Sequence, residues 1–161
     1  MRIGQGFDFH AWCKPAGFIT LGGISIPCEW SIKAHSDGDV VLHALCDALL
    51  GAAGLGDIGE HFPDTNADYK HLSSTIFVAG VLDLLSQQHW QVGNVDVTVI
   101  TEFPRLSYHR PAMCESIADL LALEQNQVNI KATTMESLGC IGRGEGIAAM
   151  AIVLLTDRKN V

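Results

Sequence analysis

The chain has 161 residues, of which 48% are hydrophobic and 17% are charged, and it carries a formal net charge of −8. This length suits one domain with a sizeable core, so we expect a single domain over residues 1–161. The acidic balance argues against a nucleic-acid partner, because such proteins need a basic surface. A surface this poor in charge favours an oligomer in which part of the surface is covered.

Hydrophobic periodicity predicts the order strand, helix, helix, strand, helix, strand, strand, with a short hairpin after the first strand. In chain order the elements are a strand at 1–9, a hairpin at 19–27 that turns at Gly22-Gly23, a helix at 39–54, a loop at 56–71, a helix at 73–88, a strand at 92–100, a helix at 109–122, a strand at 128–133 and a buried strand at 147–155. This mixture lacks strict βαβ alternation, so it predicts an α+β fold with a single mixed β-sheet and helices on one face. Packing against the sheets of sister subunits would cover the other face.

Cysteine usage and hydropathy indicate an intracellular location. The five cysteines are scattered, and none has C-x-x-C spacing. This pattern is typical of reduced thiols and not of a disulfide framework or a zinc knuckle. The longest apolar run, 147–155, is too short to cross a bilayer, and the first residues lack the core of a signal peptide. We therefore expect a cytoplasmic protein that does not bind membranes.

The first strand and the first helix carry a candidate metal site. Residues two apart on a strand point to the same side, so Asp8 and His10 share a face, about 6–7 Å apart along the backbone. His43 lies about one turn into the following helix. Two histidines and one carboxylate with an open fourth position are typical of a catalytic zinc-type site, because closed structural sites use four protein ligands. The open position would polarise a substrate oxygen.

Ordinary structural roles explain the same residues. A single Asp-x-His pair is common by chance, and a histidine in the first turns of a helix usually caps or packs. Asp37 and Asp39 in H35-S-D-G-D39 are good candidates for the N-cap of the helix. Spacing alone leaves the metal interpretation and the structural one open.

Three further stretches contain groups that could bind phosphate or sugar. K131-A-T-T-M-E136 follows a predicted strand and supplies a lysine, two hydroxyls and a carboxylate, which suit a phosphate–Mg²⁺ pair. G142-R-G-E-G146 places an arginine in a Gly-rich stretch, although a turn with a surface arginine is the simpler explanation. Asp57 and Asp64 flank a Gly/Pro loop, where they serve as turn residues or accept hydrogen bonds from sugar hydroxyls.

Nine stretches taken together carry a family resemblance. They are R2-I-G-x-G-F-D-x-H10, A34-H-S-D-G-D39, L42-H-A-L45, D47-A-L-L-G-A-A53, G56-D-I-G59, F62-P-D-T65, G93-N-V-D-V-T98, K131-A-T-T134 and L138-G-x-x-G-R-G-E-G-I147. In this order, and without a large gap, they resemble the 2-C-methyl-D-erythritol 2,4-cyclodiphosphate synthase family of the non-mevalonate isoprenoid pathway.

The resemblance implies an assembly and a reaction. The assembly is a homotrimer whose sheets pack around a central axis, with an active site at each subunit boundary. The substrate is 4-diphosphocytidyl-2-C-methyl-D-erythritol 2-phosphate. Its 2-phosphate attacks the β-phosphorus, CMP leaves, and a cyclic diphosphate forms, which makes the enzyme a phosphorus–oxygen lyase.

The resemblance also implies a role for individual residues. Asp8, His10 and His43 hold Zn²⁺, and Glu136 helps to hold Mg²⁺ or Mn²⁺ that bridges the substrate diphosphate. The catalytic pair is His35 and Thr134. The resemblance implies that Ser36 contacts the 2-phosphate and that the methylerythritol is contacted by Asp57, Gly59, Phe62 and Asp64. It implies that the cytidine of a neighbouring subunit is contacted by Thr133 and by the segment 101–106, including Thr101, Arg105 and Leu106. Arg143 would lie in the central cavity.

Three positions depart from the pattern expected of the family. Gln5 replaces a histidine beside the metal ligands, and Arg105 replaces a lysine, which keeps the charge but changes its reach. The central cavity of these trimers can hold an isoprenoid diphosphate. Cys140 stands where an aromatic residue is usual, which weakens the expectation that this cavity binds one.

Two rival functions from other classes stay open. A metal-dependent hydrolase could use the same three ligands, and its product would be ring-opened. A non-enzymatic trimeric binding module would hold no metal, and its ligand binding would survive substitution of Asp8 or His43.

Overall fold

A computed structural model describes residues 1–13, 17–63, 69 and 72–157. The strands are β1 (Arg2–Cys13), β2 (Phe18–Leu21), β3 (Ile24–Pro27), β4 (Ser31–Ile32), β5 (Trp90–Ile100), β6 (Val128–Thr133) and β7 (Gly146–Asp157). The helices are α1 (Val40–Ala53), α2 (Ile58–His61), α3 (Ser74–Gln87), α4 (Arg110–Leu121) and α5 (Gly139–Gly142), and a 3₁₀ turn lies at Gln125–Gln127. Within these ranges no helix has the length and apolar character needed to span a bilayer.

Five of the strands form one mixed sheet in the order β4-β1-β7-β5-β6. β5 and β6 are parallel, and the other neighbouring pairs are antiparallel. β2 and β3 form a separate hairpin that turns at Gly22-Gly23, as predicted. Helices α1, α3 and α4 and this hairpin lie on the side of the sheet that holds the hydrophobic core. The predicted α+β class and the mixed sheet are confirmed.

Two glycines of β1 let α1 lie directly on the sheet. A Cβ atom at Gly4 would lie 1.9 Å from the carbonyl oxygen of Ala48, and one at Gly6 would lie 1.9 Å from the carbonyl oxygen of Ala44. Any side chain at either position would therefore collide with the helix backbone. The helix can approach β1 this closely only because both positions lack a Cβ atom.

Helix α1 is the buried centre of the fold. Of its 14 residues, 11 are buried, and the exceptions His43, Asp47 and Gly51 lie four residues apart. Residues at this spacing form one stripe along a helix. The helix is therefore apolar all round except for one polar stripe, which is how a core helix presents functional side chains.

A fully buried carboxylate starts α1 and ties it to the hairpin. Asp39 is the N-cap and accepts hydrogen bonds from the N–H groups of Val41 at 3.1 Å and Leu42 at 3.0 Å. It also accepts from the N–H groups of Gly22 at 2.9 Å and Gly23 at 2.7 Å, both in the turn between β2 and β3. Burial raises the pKa of this carboxyl, and the bonds from backbone N–H groups act in the opposite direction. One side chain thus fixes the start of α1 against the hairpin.

Several boundaries differ from the prediction. The predicted loop at 56–71 is wrong at Ile58–His61, where Asp57 caps the short helix α2. The first strand runs on to Cys13, and β4 and α5 were not predicted, because elements of two and four residues have no readable periodicity. The last strand is not wholly buried, since Met150 and Ile152 point to the open face of the sheet.

The open face of the sheet is apolar along β1 and β7. Among the described residues, Ile3, Phe7, Phe9, Met150 and Ile152 all point to this face and are 39–74% exposed. The β1–β7 register sets Phe7 opposite Met150, and Phe7 and Phe9 pack with their ring centroids 6.1 Å apart. An exposed apolar patch of this kind, interrupted on β1 by Gln5, marks an interaction surface. The homotrimer itself stays a prediction at this point.

The four hydrogen bonds to Asp39 predict a large loss of stability when the carboxylate is removed. Loss of an N-cap costs about 0.5–2 kcal/mol, and each buried donor left without a partner costs about 1–3 kcal/mol. We expect Asp39→Ala to lower the free energy of unfolding by about 3–5 kcal/mol in urea titrations followed by circular dichroism. Ser73→Ala, which removes the exposed N-cap of α3, should cost about 1 kcal/mol. Equal losses for the two variants would contradict this account of Asp39.

Candidate metal and active site

Asp8, His10 and His43 bring three potential metal ligands together. The Oδ2 atom of Asp8 lies 3.0 Å from Nε2 of His10 and 3.0 Å from Nδ1 of His43. The two ring nitrogens are 3.4 Å apart. Among the described residues, this is the only group of at least three His, Cys, Asp or Glu side chains with donor atoms close enough to share an ion.

Local structure explains why these donors meet. Asp8 and His10 are two apart on β1, so both point to the face that α1 covers, as predicted. His43 heads the polar stripe of α1 and bonds through its N–H to the carbonyl of Asp39, 3.0 Å away. The close packing of α1 on Gly6 then lowers His43 onto the strand beside Asp8.

The spacing of the donors suits a small divalent ion. Ligands held at about 2.0–2.1 Å in tetrahedral geometry lie about 3.3 Å from one another. The observed separations of 3.0, 3.0 and 3.4 Å agree with this edge length. One carboxylate and two imidazoles are also the ligand types that zinc-like ions prefer. The three residues therefore fit an ion with further positions left for a substrate.

The site is partly open to solvent. The side chains of Asp8, His10 and His43 are 24%, 20% and 14% exposed. Burial would raise the pKa of Asp8, but its contacts with His10 and His43, together with their charge, lower it to about 2. The carboxylate is therefore ionised and ready to bind a cation.

The outer nitrogen of His43 faces two serine hydroxyls. Its Nε2 atom lies 2.9 Å from Oγ of Ser74 and 3.2 Å from Oγ of Ser36. The hydroxyl of Ser74 donates to the carboxylate of Asp37. The sequence pattern does not mark Ser74 as a site residue, because it lies 31 residues from His43. Asp37 was one of two candidates for the cap of α1, and the structure gives that role to Asp39.

An aromatic cluster borders the site. Phe77 of α3 lies against His43 with ring centroids 6.2 Å apart, and Phe62 lies 5.1 Å from Phe77. Tyr69 packs edge-on against both phenylalanines. The structure thus places Phe62 near the metal ligands through one intervening ring. Phe77 was predicted only as part of the apolar face of a helix.

The residues expected around a sugar lie on α2 and beyond it. Asp57 is exposed and caps α2 by accepting from the N–H of Glu60 at 3.0 Å, which is the turn role that sequence analysis left open. Gly59 is exposed within α2. Asp64 lies outside the described residues. His35 is exposed in the loop before α1 and directly precedes Ser36.

Thr134 and Glu136 lie away from the metal ligands of the same chain. Asp8 and the end of β6 occupy one cross-strand row of the sheet, three strand spacings apart, which is about 14 Å. The segment after β6 stays at that end, since the N–H of Met135 donates to Glu102 at 2.8 Å. Thr134 and Glu136 are both exposed there, with Oγ1 of Thr134 3.5 Å from Oε1 of Glu136. The row runs through Asp8, Ala149, Val99 and Ala132.

The residues expected near cytidine gather at the ends of β5 and β6. The N–H of Thr101 donates to the carbonyl of Thr133 at 3.0 Å, which joins the two strand ends. The hydroxyl of Thr101 donates to the carbonyl of Phe103, and Leu106 is buried below. Arg105 is exposed between them. The structure therefore groups Thr101, Arg105, Leu106 and Thr133, apart from the metal ligands.

Arg143 lies in a third place, between α5 and β7. Its Nε donates to Glu145 at 2.6 Å, and both side chains are more than half exposed. Cys140 is exposed in α5.

Comparisons with known proteins match this chain to one family over almost its whole length. The YgbB family model matches residues 1–156. A protein of Pseudomonas putida named 2-C-methyl-D-erythritol 2,4-cyclodiphosphate synthase is 53% identical over 96% of this chain and 98% of its own length. A protein of the same name from Xanthomonas axonopodis pv. citri is 55% identical over 96% of this chain and 92% of its own length.

Solved structures of related proteins have a similar fold. The IspF–CDP complex of Plasmodium falciparum is similar with a TM-score of 0.85 and 34% identity over 98% of this chain and 96% of that one. The bifunctional IspDF of Campylobacter jejuni is similar with a TM-score of 0.91 and 40% identity, over 98% of this chain and 43% of that one.

Acid should weaken metal binding through the histidines and not through Asp8. The pKa of Asp8 is lowered to about 2, so its carboxylate stays ionised until the pH falls to that value. Imidazoles in general titrate near about pH 6.5, so below that pH an ion must displace up to two protons. We expect the apparent zinc dissociation constant, measured by chelator competition, to rise by up to about 100-fold per pH unit below about pH 6.

The matched control for this titration is His10→Ala, which keeps one imidazole. Its zinc affinity should be weaker throughout and should change by about 10-fold per pH unit over the same range. A zinc affinity in the unsubstituted protein that does not change between about pH 6 and pH 5 would contradict this ligand set.

Proposed function

The chain belongs to the YgbB family, and from that premise we propose that it is a 2-C-methyl-D-erythritol 2,4-cyclodiphosphate synthase of isoprenoid precursor biosynthesis. The observation that supports this most directly is the group of three metal-ligand atoms formed by Asp8, His10 and His43, in a chain that matches named synthases over nearly its full length. The substrate is 4-diphosphocytidyl-2-C-methyl-D-erythritol 2-phosphate, and the products are the cyclic diphosphate and CMP.

Two divalent ions complete the proposal. Asp8, His10 and His43 would hold Zn²⁺, and the exposed carboxylate of Glu136 would help to hold Mg²⁺ or Mn²⁺ at the substrate diphosphate, since Mg²⁺ takes few protein oxygens. When bound, these ions supply positive charge that stabilises the phosphate oxygens in the transition state. This local charge also explains how a chain with a net charge of −8 accepts a highly anionic substrate.

The reaction needs positioning more than it needs proton transfer. A bond forms between an oxygen of the 2-phosphate and the β-phosphorus, the bond from the β-phosphorus to the CMP oxygen breaks, and no water is consumed. Phosphoryl transfer of this kind depends on alignment of attacker and leaving group. His35 and Ser36, which directly precede the start of α1, hold the attacking phosphate next to His43. Thr134, with His35, donates hydrogen bonds to the transferred group.

Other residues recognise the two ends of the substrate. Asp57, Gly59, Phe62 and Asp64 line the methylerythritol pocket, and the Phe62 ring reaches it from the aromatic cluster beside His43. Thr101, Arg105, Leu106 and Thr133 hold the cytidine at the joined ends of β5 and β6. Arg143 lies with Glu145 at the central cavity.

We propose that the active unit is a homotrimer with one site at each subunit boundary. The apolar open face of β1 and β7, formed by Ile3, Phe7, Phe9, Met150 and Ile152, is the surface that packs around the axis. In a three-membered ring each contact joins two different surfaces of neighbouring subunits. The separation of about 14 Å between Asp8 and the end of β6 within one chain supports a site that takes its metal ligands from one subunit and Thr134 and Glu136 from the next.

A cytoplasmic location accords with the cysteines. All five are free thiols, and Cys46 is buried in α1 where it packs as a small apolar side chain. We propose no nucleic-acid or membrane partner for this acidic chain.

The reaction is tested by ³¹P NMR of the purified protein with the diphosphocytidyl substrate and Mg²⁺ or Mn²⁺. We expect CMP and the two coupled phosphorus signals of a cyclic diphosphate. Asp8→Ala removes a ligand of the first ion, so the rate should fall at least about 100-fold. Asp119→Ala changes an exposed carboxylate on α4 and should leave the rate unchanged.

Other products would lead to other conclusions. An open-chain bisphosphate with CMP would establish the metal-dependent hydrolase instead. Unchanged substrate, in a preparation shown to hold metal and to be trimeric, would contradict the synthase proposal and mean that the fold serves another use.

A further inference from the structure

Ser74 and Asp37 belong to neither the metal ligands nor the substrate contacts, yet they hold the outer nitrogen of a metal ligand. We infer that they are positioning residues that fix His43 in the tautomer with a proton on Nε2, so that the lone pair of Nδ1 points at the ion. The inference rests on the proposed metal site and adds to it the residues that prepare it.

The direction of the hydrogen bonds assigns the tautomer. The hydroxyl hydrogen of Ser74 is committed to the carboxylate of Asp37. Toward His43, 2.9 Å away, the oxygen of Ser74 can therefore only accept, so Nε2 of His43 carries the proton. A neutral imidazole has one N–H, so a proton on Nε2 leaves the lone pair of Nδ1 for an ion that would be shared with Asp8 and His10.

The arrangement around Ser74 is rigid. Ser74 is fully buried as the first residue of α3, and its backbone N–H donates to the second oxygen of Asp37 at 2.9 Å. The carboxylate of Asp37 thus accepts hydrogen bonds from the hydroxyl and from the backbone N–H of Ser74. It would lose both bonds if it rotated away. The N–H of Asp37 in turn donates to the carbonyl of Leu72 at 3.2 Å. The Asp37–Ser74 pair therefore joins the loop before α1 to the start of α3.

Ser36 is a weaker alternative acceptor. Its hydroxyl oxygen is 3.2 Å from Nε2 of His43 and already accepts from the N–H of Gly38 at 3.2 Å. Both contacts are long, whereas Ser74 makes the shorter contact from a fully buried position. Loss of Ser74 would leave His43 with Ser36 alone as a hydroxyl partner among these contacts.

The same start of α3 also fixes the plane of the ring. Phe77, one turn after Ser74, packs against His43 with ring centroids 6.2 Å apart.

A metal-binding histidine whose second nitrogen donates to an oriented acceptor is held in one tautomer and is a more basic ligand. Loss of such a partner typically weakens metal binding by about 10–100-fold. The negative charge of Asp37 acts on the His43 ring through the hydroxyl of Ser74, which lies between them, and makes the ring a more basic ligand.

The first test compares two neighbouring serines of α3. Ser74→Ala should weaken zinc binding by about 10–100-fold in chelator competition, and Asp37→Asn should weaken it by less, because its amide oxygen still accepts from Ser74. Ser73→Ala removes the N-cap of the same helix without a contact to His43, and its zinc affinity should equal that of the unsubstituted protein. Wild-type affinity in Ser74→Ala, or equal losses in both serine variants, would overturn the inference.

The second test removes the competing acceptor beside Nδ1. In long-range ¹H–¹⁵N NMR spectra of zinc-free Asp8→Ala protein, at about pH 8.5 where imidazoles in general are neutral, His43 should show the Nε2–H tautomer. The Nδ1–H tautomer, or an even mixture, would overturn the inference even if Ser74→Ala failed to fold.

The metal-site proposal and the role of Ser74 and Asp37 can be refuted independently. If the unsubstituted protein binds no zinc in a manner sensitive to Asp8→Ala, the proposed metal site fails. If it binds zinc and Ser74→Ala binds it equally well, only the role of Ser74 and Asp37 fails.

Discussion

The close contact between α1 and β1 is the constraint on which the rest of the structure depends. At Gly4 and Gly6 the strand has no side chains, so the backbone of the helix lies where Cβ atoms would otherwise be. This brings an apolar helix onto the centre of the sheet and completes the core. It also sets the height of His43 above Asp8, which decides whether three ligand atoms can meet at distances of 3.0–3.4 Å. Fold stability and the candidate metal site therefore share one packing contact.

The sheet that supports the metal ligands also keeps them away from the other candidate catalytic groups. β7 and β5 lie between β1 and β6, so Thr134 and Glu136 emerge at the far side of the same sheet. The proposed substrate, extended with a nucleotide at one end and a sugar phosphate at the other, would suit two half-sites on different subunits. The apolar open face gives a physical reason for such subunits to associate.

Sequence patterns predicted the parts of this protein that depend on local chemistry. The hairpin at Gly22-Gly23, the helix between Asp39 and Gly54, and the shared face of Asp8 and His10 all follow from turn, cap and strand periodicity, and the structure shows them. The structure also gives Asp39 the cap of α1, where sequence left Asp37 as a rival. Ser74 could not be predicted, because its contact with His43 joins two helices across 31 residues. The helix at Ile58–His61 was missed because a single turn has no period.

Subunit complementation tests the central claim, that each active site is shared between neighbouring chains. Asp8→Ala and Glu136→Ala chains, each inactive alone, would be mixed by co-expression with different tags, and assemblies containing both would be isolated by both tags in turn. In a ring of three shared sites, every assembly that contains both chains has one boundary that combines the two intact halves, so about one third of the wild-type activity should return. No activity in assemblies shown to contain both chains would mean that each chain builds its site alone, and the account would be wrong.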